Sequence, residues 1–154
     1  MSREMSVQIV GPGPIGATVM TLDGTGASDV SSRKAMFINT LHREILAASV
    51  SNFVWTCQEG IWQVQYVSAA VTVAGGSGAS VTVTVCPQTA VAPSAGTAQL
   101  TAVIPLTAAG PGLVTGTLIT TPTPMTSGDS IALLFAGTLT ALVGSITITL
   151  KRTS

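Results

Sequence analysis

Residues 67–86 read VSAAVTVAGGSGASVTVTVC, and this stretch decides the fold class. In its second half Val81, Val83 and Val85 alternate with hydroxyl residues, which is the period of a β-strand with one buried face and one hydroxyl face. A glycine-rich segment, residues 75–78, separates this strand from a longer apolar run over residues 61–73. The pattern predicts two antiparallel strands joined as a hairpin.

The first of these two strands changes phase along its length. Its large apolar residues occupy even positions at Trp62, Val64 and Tyr66 but odd positions from Val67 onward. Since a strand exposes alternate residues on opposite faces, we expect a β-bulge or a bend near Ser68.

The rest of the C-terminal part consists of short apolar runs separated by proline and glycine. These runs predict strands at residues 97–104, 113–120, 130–136 and 145–150, with a weaker one at 138–143. Six or seven short strands at this spacing are typical of a β-sandwich or a β-barrel. We therefore expect a single β domain over residues 51–154, preceded by two segments of different character.

The segment of residues 31–50 is predicted to form one short amphipathic helix that packs on the β-sandwich. Phe37, Leu41 and Ile45 recur at every fourth residue, and a serine pair before them can act as the N-cap. Most of the charged residues of this segment lie off that stripe.

Residues 1–30 are predicted to form an extended N-terminal arm. Two β-like runs, residues 6–10 and 17–22, flank the Gly-Pro-Gly-Pro of residues 11–14. Proline cannot donate to a ladder of hydrogen bonds, so these runs are unsuited to the interior of a sheet. We expect the arm to add to an edge strand of a neighbouring protein chain.

Composition excludes several classes of function. Of 154 residues only 8% are charged, and six basic and six acidic residues give a net charge of zero. Electrostatic binding of nucleic acid or of an anionic membrane surface requires clustered Lys and Arg. No run approaches the ~18 apolar residues of a membrane span. The N-terminus lacks an apolar signal region, and we expect a complete chain that is made and used without secretion.

Residues able to carry catalysis are few, because Asp129 is the only charged residue between Gly60 and Leu150. His42 could pair with Cys57 or Cys86 as base and nucleophile, but a surface histidine is the favoured interpretation. For the cysteines two buried thiols are favoured over a disulfide. A turn that caps its own backbone is favoured at Asp129 over a metal ligand. We therefore predict no catalytic, cofactor or metal site.

The aromatic residues are concentrated in one part of the chain, since five of them fall within residues 37–66. They can close one end of the core, anchor a subunit interface, or stack on a sugar ring. The residues expected at an interface come from this region and from the arm: Val7, Ile9, Val19, Leu22, Phe53, Trp55, Trp62 and Tyr66.

Three segments carry a resemblance to a known family: GIWQV at residues 60–64, VTVAGGSG at 71–78 and TSGDSIAL at 126–133. With the charge-poor Thr/Val/Ala/Gly composition, residues 60–152 resemble the small jelly-roll head decoration, or cement, proteins of tailed bacteriophages. The resemblance implies a mainly β, jelly-roll-like sandwich without enzymatic activity. It implies a virion protein, made in the host cytoplasm, that binds the outer face of the capsid and bridges capsomers.

The partners that this resemblance implies are further copies of the chain, as a homotrimer, and the major capsid protein. No cofactor, nucleic acid or membrane partner is expected. The alternative is a glycan- or host-binding module of a phage head or tail fibre. Binding to empty capsids and binding to host glycans distinguish the two hypotheses.

Overall fold

The computed structural model of the chain describes residues 37–110 and 113–153, and these residues are mainly β-structure. One short 3-10 turn, Pro93–Ala95, lies among the strands. The strands are β1 Ile38–Leu46, β2 Asn52–Thr56, β3 Trp62–Val73, β4 Ser80–Cys86, β5 Thr97–Ala98, β6 Ile104–Pro105, β7 Leu113–Thr115, β8 Ser130–Ala136 and β9 Val143–Arg152.

The strands form two antiparallel sheets. The first sheet has the order β1-β9-β3-β7, and the second has the order β2-β8-β4-β5 with β6 also paired to β4. Among the long strands β1, β3 and β9 belong to the first sheet and β2, β4 and β8 to the second, so consecutive long strands change sheet except from β4 to β8. Most connections between long strands therefore cross from one sheet to the other.

One apolar core lies between the inner faces of the two sheets. Along β9 every second residue is buried, and along β4 and β8 the same alternation supplies the core side chains. This is the spacing expected when one face of each strand meets the other sheet. The core residues on the long strands are Ile45, Val64, Val67, Ala69, Val71, Val81, Val83, Val85, Ile131, Leu133, Ile146, Ile148 and Leu150.

The glycine-rich segment does not form the predicted hairpin, because β3 and β4 lie in different sheets. The backbone N–H of Gly75 donates to Leu106 O at 2.8 Å, and that of Gly76 donates to Thr138 O at 2.7 Å. A Cβ on Gly76 would lie 3.0 Å from the Thr138 side chain, so this close approach favours glycine. The sequence predicted the turn correctly but not the partner of each strand.

The predicted helix over residues 31–50 is wrong, since β1 occupies residues 38–46. Every residue of β1 is paired with β9, from Ile38 opposite Lys151 to Leu46 opposite Val143. A spacing of four places Phe37, Leu41 and Ile45 on one face of a strand as well as on one side of a helix. Ile45 is buried in the core. Residues 31–36 and the predicted arm lie outside the described residues.

The predicted phase change in β3 occurs, but it lies earlier in the strand than Ser68. The register against β9 shifts between Val64 and Tyr66, and Gln65 is the extra residue. Trp62 and Val64 therefore face the core, whereas Tyr66 lies on the outer face with 41% exposure. A second irregularity follows between Val71 and Val73.

The remaining predicted strands are found with changed lengths, apart from β8, which has the predicted bounds. The run over residues 97–104 is divided into β5 and β6, and the run over 113–120 is reduced to β7. Residues 138–142 form a turn instead of a weak strand, with Leu142 N donating to Leu139 O. The hydroxyl side of β4 is buried, where Thr84 donates from Oγ1 to Pro93 O at 3.1 Å.

Candidate interaction surface

The two tryptophans form a pair that joins the two sheets. Trp55 lies on β2 of the second sheet and Trp62 begins β3 of the first, and their ring centroids are 5.8 Å apart at an interplanar angle of 69°. Such edge-to-face pairs contribute about 0.5–1.5 kcal/mol beyond their buried area. The Trp62 Nε1–H donates to Glu59 O at 2.8 Å. Both rings pack on the core and remain partly exposed.

The other expected interface residues do not join this pair. Phe53 is opposite Ala132, on the face of the second sheet that points away from the core, and is 41% exposed. Tyr66 lies on the outer face of the first sheet, where its hydroxyl is 3.1 Å from Thr115 Oγ1. Phe53, Tyr66 and the tryptophan pair thus belong to three separate surfaces. Val7, Ile9, Val19 and Leu22 lie outside the described residues.

The outer edge of β1 is the longest open strand edge in the described part of the chain. Arg152 N donates to Phe37 O at 2.9 Å, so odd-numbered residues of β1 bond to β9 and even-numbered ones point outward. At the end of the strand both outward backbone groups of Leu46 are bonded to Ser49. The Leu46 N–H donates to Ser49 Oγ at 2.8 Å, and the Leu46 carbonyl accepts from Ser49 N at 2.9 Å.

The other outward backbone groups of β1 have few partners in the part of the chain that the structure describes. Among the described residues none bonds to the outward N–H or C=O groups of Ile38, Thr40 and Glu44. The carbonyl of His42 accepts a long bond of 3.4 Å from the side chain of Arg43. Sequence reasoning missed this edge because it assigned the segment to a helix. The alternation of Leu41 and Ile45 with polar even positions was the signal that could have revealed it.

A small cleft separates the edges of β1 and β2. Its volume is about 80 Å³, and the apolar side chains of Val54, Leu133 and Phe135 contribute to its lining. Arg43 spans the opening, since its Nη2 donates to Val54 O at 3.1 Å. The cleft thus has a mixed lining, since Glu44, Ser49 and Asn52 also contribute to it.

The outer face of the first sheet presents hydroxyl groups across neighbouring strands. Thr40 is opposite Thr149, and His42 is opposite Thr147, with His42 Nδ1 at 3.1 Å from Thr147 Oγ1. At the far end of the same face Leu46 and Val143 lie opposite each other, 43% and 41% exposed. The face is therefore polar and mostly uncharged, with an apolar row at one end.

The residues considered for nucleophilic chemistry are not arranged for it. His42 contacts Thr147, not a thiol. Both cysteines are free and buried, as predicted. The Cys57 Sγ donates to Glu59 O at 3.6 Å, and burial is the main cause that raises the pKa of this thiol. A raised pKa keeps the thiol protonated and weakly nucleophilic near neutral pH.

Asp129 stabilises a turn, in agreement with the sequence prediction. Its carboxylate accepts from the backbone N–H of Thr126 at 2.8 Å, from the Thr126 hydroxyl at 2.9 Å and from Gln88 N at 3.2 Å. Within residues 37–110 and 113–153 no three His, Cys, Asp or Glu side chains are grouped to hold a metal ion. In the same part of the chain no helix is long and apolar enough to cross a membrane.

Comparison with known proteins gives little further information. No protein-family model matches the chain, and no curated protein matches it either. A similar solved structure comes from a study of Bacillus endospore appendages, which that study describes as a novel family of disulfide-linked pili. The two chains share 16% identity with a TM-score of 0.36, over 76% of this chain and 87% of the other. At this level of similarity neither function nor partners are transferred.

Proposed function

We propose that this chain is a non-enzymatic structural protein that works by assembly, as a decoration protein on the outer face of a bacteriophage head. The observation that carries the proposal is the outer edge of the nine-residue strand β1, where the backbone groups of Ile38, Thr40 and Glu44 bond to none of the described residues. Such an edge binds other chains by adding their strands to the sheet. This mode of binding requires neither a nucleophile nor a metal ion.

We propose further that the two sheets form a jelly roll. Strands pair in the order β1 with β9, β2 with β8, β3 with β7 and β4 with β5 and β6. The first half of the chain thus runs antiparallel to the second half, as in a folded ribbon wound into two sheets. Jelly rolls of this kind occur in viral capsid proteins and in lectins. This architecture is compatible with a decoration protein and with a glycan-binding protein, so the chemistry of the surface must distinguish these two functions.

The surface chemistry favours close contact between protein chains. The outer face of the first sheet presents threonine hydroxyls, and its apolar row includes Leu46 and Val143. Covering such a surface avoids the desolvation of unpaired charges, which costs several kcal/mol for each ion. A net charge of zero also leaves little long-range repulsion between copies. The partners proposed are other copies of the chain, as a homotrimer, and the major capsid protein.

Binding to the assembled shell would stabilise it by mass action. A ligand that binds only the intact form contributes about 2.7 kcal/mol per site at a hundredfold excess over its Kd. Because many sites on one shell act together, a modest affinity at each site can oppose the outward pressure of packaged DNA.

The test uses the full chain and phage heads that lack a decoration protein. Light scattering should give three times the monomer mass of 15.5 kDa. The protein should bind to these heads and raise the temperature at which they release DNA. Bovine serum albumin at equal concentration is the control for non-specific adsorption. A monomer that neither binds heads nor changes the release temperature would overturn the proposal.

The second candidate function is recognition of host glycans. Tyr66 favours it, because its ring is 41% exposed on the hydroxyl-rich outer face of the first sheet. A glycan array compares the unchanged protein with Tyr66→Ala, and Phe53→Ala is the matched control on the other sheet. Glycan binding that Tyr66→Ala removes, together with absence of head binding, would replace the decoration function by this one.

A further inference from the structure

We infer that the outer face of the first sheet binds the same face of a second copy of the chain, turned by a two-fold rotation so that Glu44 of each copy pairs with Lys151 of the other. The inference rests on the proposed assembly function and names the surface and the register of one contact between copies. A two-fold contact joins the same surface of both copies, whereas a closed ring of three joins two different surfaces. The contact is therefore additional to the proposed trimer.

The first observation is that exposed apolar side chains are concentrated on this face. The even-numbered residues of β1 and the odd-numbered residues of β9 lie side by side on it, and β3 and β7 continue the same rows. In the strands of the second sheet only Phe53 is a large apolar side chain of comparable exposure. Such a concentration on one face is typical of a surface that binds another macromolecule. The large apolar side chains on the face, 41–64% exposed, are Ile38, Leu46, Tyr66, Val73, Leu113 and Val143.

The second observation concerns charge. Among the described residues the face carries one acidic and one basic side chain, Glu44 opposite Ser145 and Lys151 opposite Ile38. Six residues of β9 separate these two rows, which is about 20 Å. Neither Glu44 nor Lys151 takes part in an ion pair. Two opposite charges that are too far apart to pair within one chain can pair between two copies.

A two-fold axis that lies across the strands, between Thr147 and Thr149, brings the charges together. Rotation about it places β9 of one copy antiparallel over β9 of the other. Lys151 then faces Ser145 of the other copy, and Glu44 of that copy lies one strand aside, at about 4.8 Å. Packed sheets are about 10 Å apart, which the Lys and Glu side chains can bridge together. Because the contact is reciprocal, the ion pair forms twice.

The same register brings apolar side chains together. Ile61 continues the outer face of β3 beyond Gln63, since its carbonyl accepts from Thr153 N at 2.7 Å, and its side chain is 36% exposed. Val73 is opposite Val143, so Ile61 and Val73 lie five residues to either side of the axis along the sheet. The rotation therefore places Val73 of each copy over Ile61 of the other. The register was chosen by charge alone, so this apolar match supports it independently.

The size of the face fits a reversible contact. The ten residues of β9 extend about 33 Å, and four strands are about 19 Å wide. Two such faces bury about 1,200 Å² in total, which is the lower limit for specific interfaces between proteins. We expect pairing to occur as the protein concentration is raised, and to join trimers in pairs.

Charge exchange in the full chain tests the register. Lys151→Glu brings two like charges together in both symmetric contacts, and Glu44→Lys does the same with the opposite sign. The double variant restores opposite charges in exchanged positions. Glu59→Lys is the matched control, because it makes the same change of charge as Glu44→Lys on a side chain that is 80% exposed and outside the face.

Sedimentation equilibrium over a concentration series measures the dissociation constant of the pair. We expect each single variant to weaken pairing at least about tenfold, because like charges in an interface oppose association. The double variant should regain most of the affinity, and Glu59→Lys should pair like the unchanged chain. Single variants that pair normally, or a double variant that pairs no better than they do, would overturn the inference.

A second comparison does not depend on charge. Val73→Gln removes one side of the apolar contact, and Val91→Gln is the matched control, since Val91 is 95% exposed and lies outside the face. We expect Val73→Gln to weaken pairing while its melting transition stays cooperative. Equal pairing of these two folded variants would also contradict the inference.

The two proposals fail in different ways. If the unchanged chain binds phage heads but its mass does not double at any concentration, only the two-fold contact is wrong. If its mass doubles and the charge exchange restores pairing, but the protein does not bind heads, the two-fold contact stands and the decoration function is wrong.

Discussion

Gln99 provides the sharpest test of how the loops are held to the sheets. Its side chain is fully buried, and its Nε2 donates to Thr97 O at 2.8 Å and to Thr123 Oγ1 at 3.0 Å. Its Oε1 accepts from Thr123 N at 2.8 Å. Both amide hydrogens and one oxygen lone pair are therefore used. The side chain thereby ties β5 to the segment that precedes Met125.

Replacing Gln99 by methionine keeps a long unbranched side chain and removes all three hydrogen bonds. Each contributes about 1 kcal/mol net, and a buried partner left unsatisfied adds to the loss. Thr97 is exposed and Thr123 is half-buried, so water can replace some of the hydrogen bonds that these two residues lose. We expect Gln99→Met to lower the free energy of unfolding by about 2–3 kcal/mol.

Gln63→Met is the matched control. Gln63 is half-buried and makes one bond to the same segment, from Nε2 to Pro122 O at 3.2 Å, so its loss should be about 1 kcal/mol or less. Urea denaturation measures both variants, and an unchanged m-value shows that the native and denatured states remain comparable. A difference of less than about 0.5 kcal/mol between the two variants would refute the reasoning.

Three further predictions follow from other features. Ala141 has a positive φ of 62°, so Ala141→Gly should raise the free energy of unfolding by up to about 1 kcal/mol, and a lower melting temperature would contradict this. Burial raises the pKa of Cys57, so above about pH 8.5 the unfolded state loses this proton first. The free energy of unfolding should then fall with rising pH, and the fall should be measurably smaller in Cys57→Ala. Equal slopes of the free energy of unfolding against pH in the two proteins, measured by urea titrations, would disprove this. Deleting residues 1–30 should leave a cooperative melting transition but weaken binding to phage heads; equal binding would show that the arm has no part in attachment.

Local sequence patterns predicted individual strands well. They could not predict which strands pair, because pairing joins residues that are distant in sequence. The bounds of β8 were predicted correctly, because apolar residues run between a turn at Asp129 and a glycine at Gly137. The segment of β1 was misassigned because a spacing of four fits both a helix and a strand. Its strand conformation depends on β9, more than a hundred residues later in the sequence.

The candidate surface was predictable only in part, for the same reason. Both tryptophans were expected at an interface, which stays a prediction, and their mutual contact depends on how two sheets meet. Phe53 and Tyr66 were grouped with them by sequence distance, and one extra residue in β3 placed Tyr66 on the opposite face. The buried role of Gln99 has no local signature, because two of its three hydrogen bonds are to Thr123, which is 24 residues later in the sequence.

The pairing of β1 with β9 determines when the chain can fold during its synthesis. Ile38 is opposite Lys151, so the start of the first described strand is made 113 residues before its partner in β9. At about 5–20 residues per second this interval is roughly 6–23 s. During that time β1 lacks the strand with which it pairs in the folded structure. Non-local pairing of this kind also slows folding to milliseconds or seconds after the last strand is available. The first sheet therefore cannot be completed until the C-terminal strand β9 has been made.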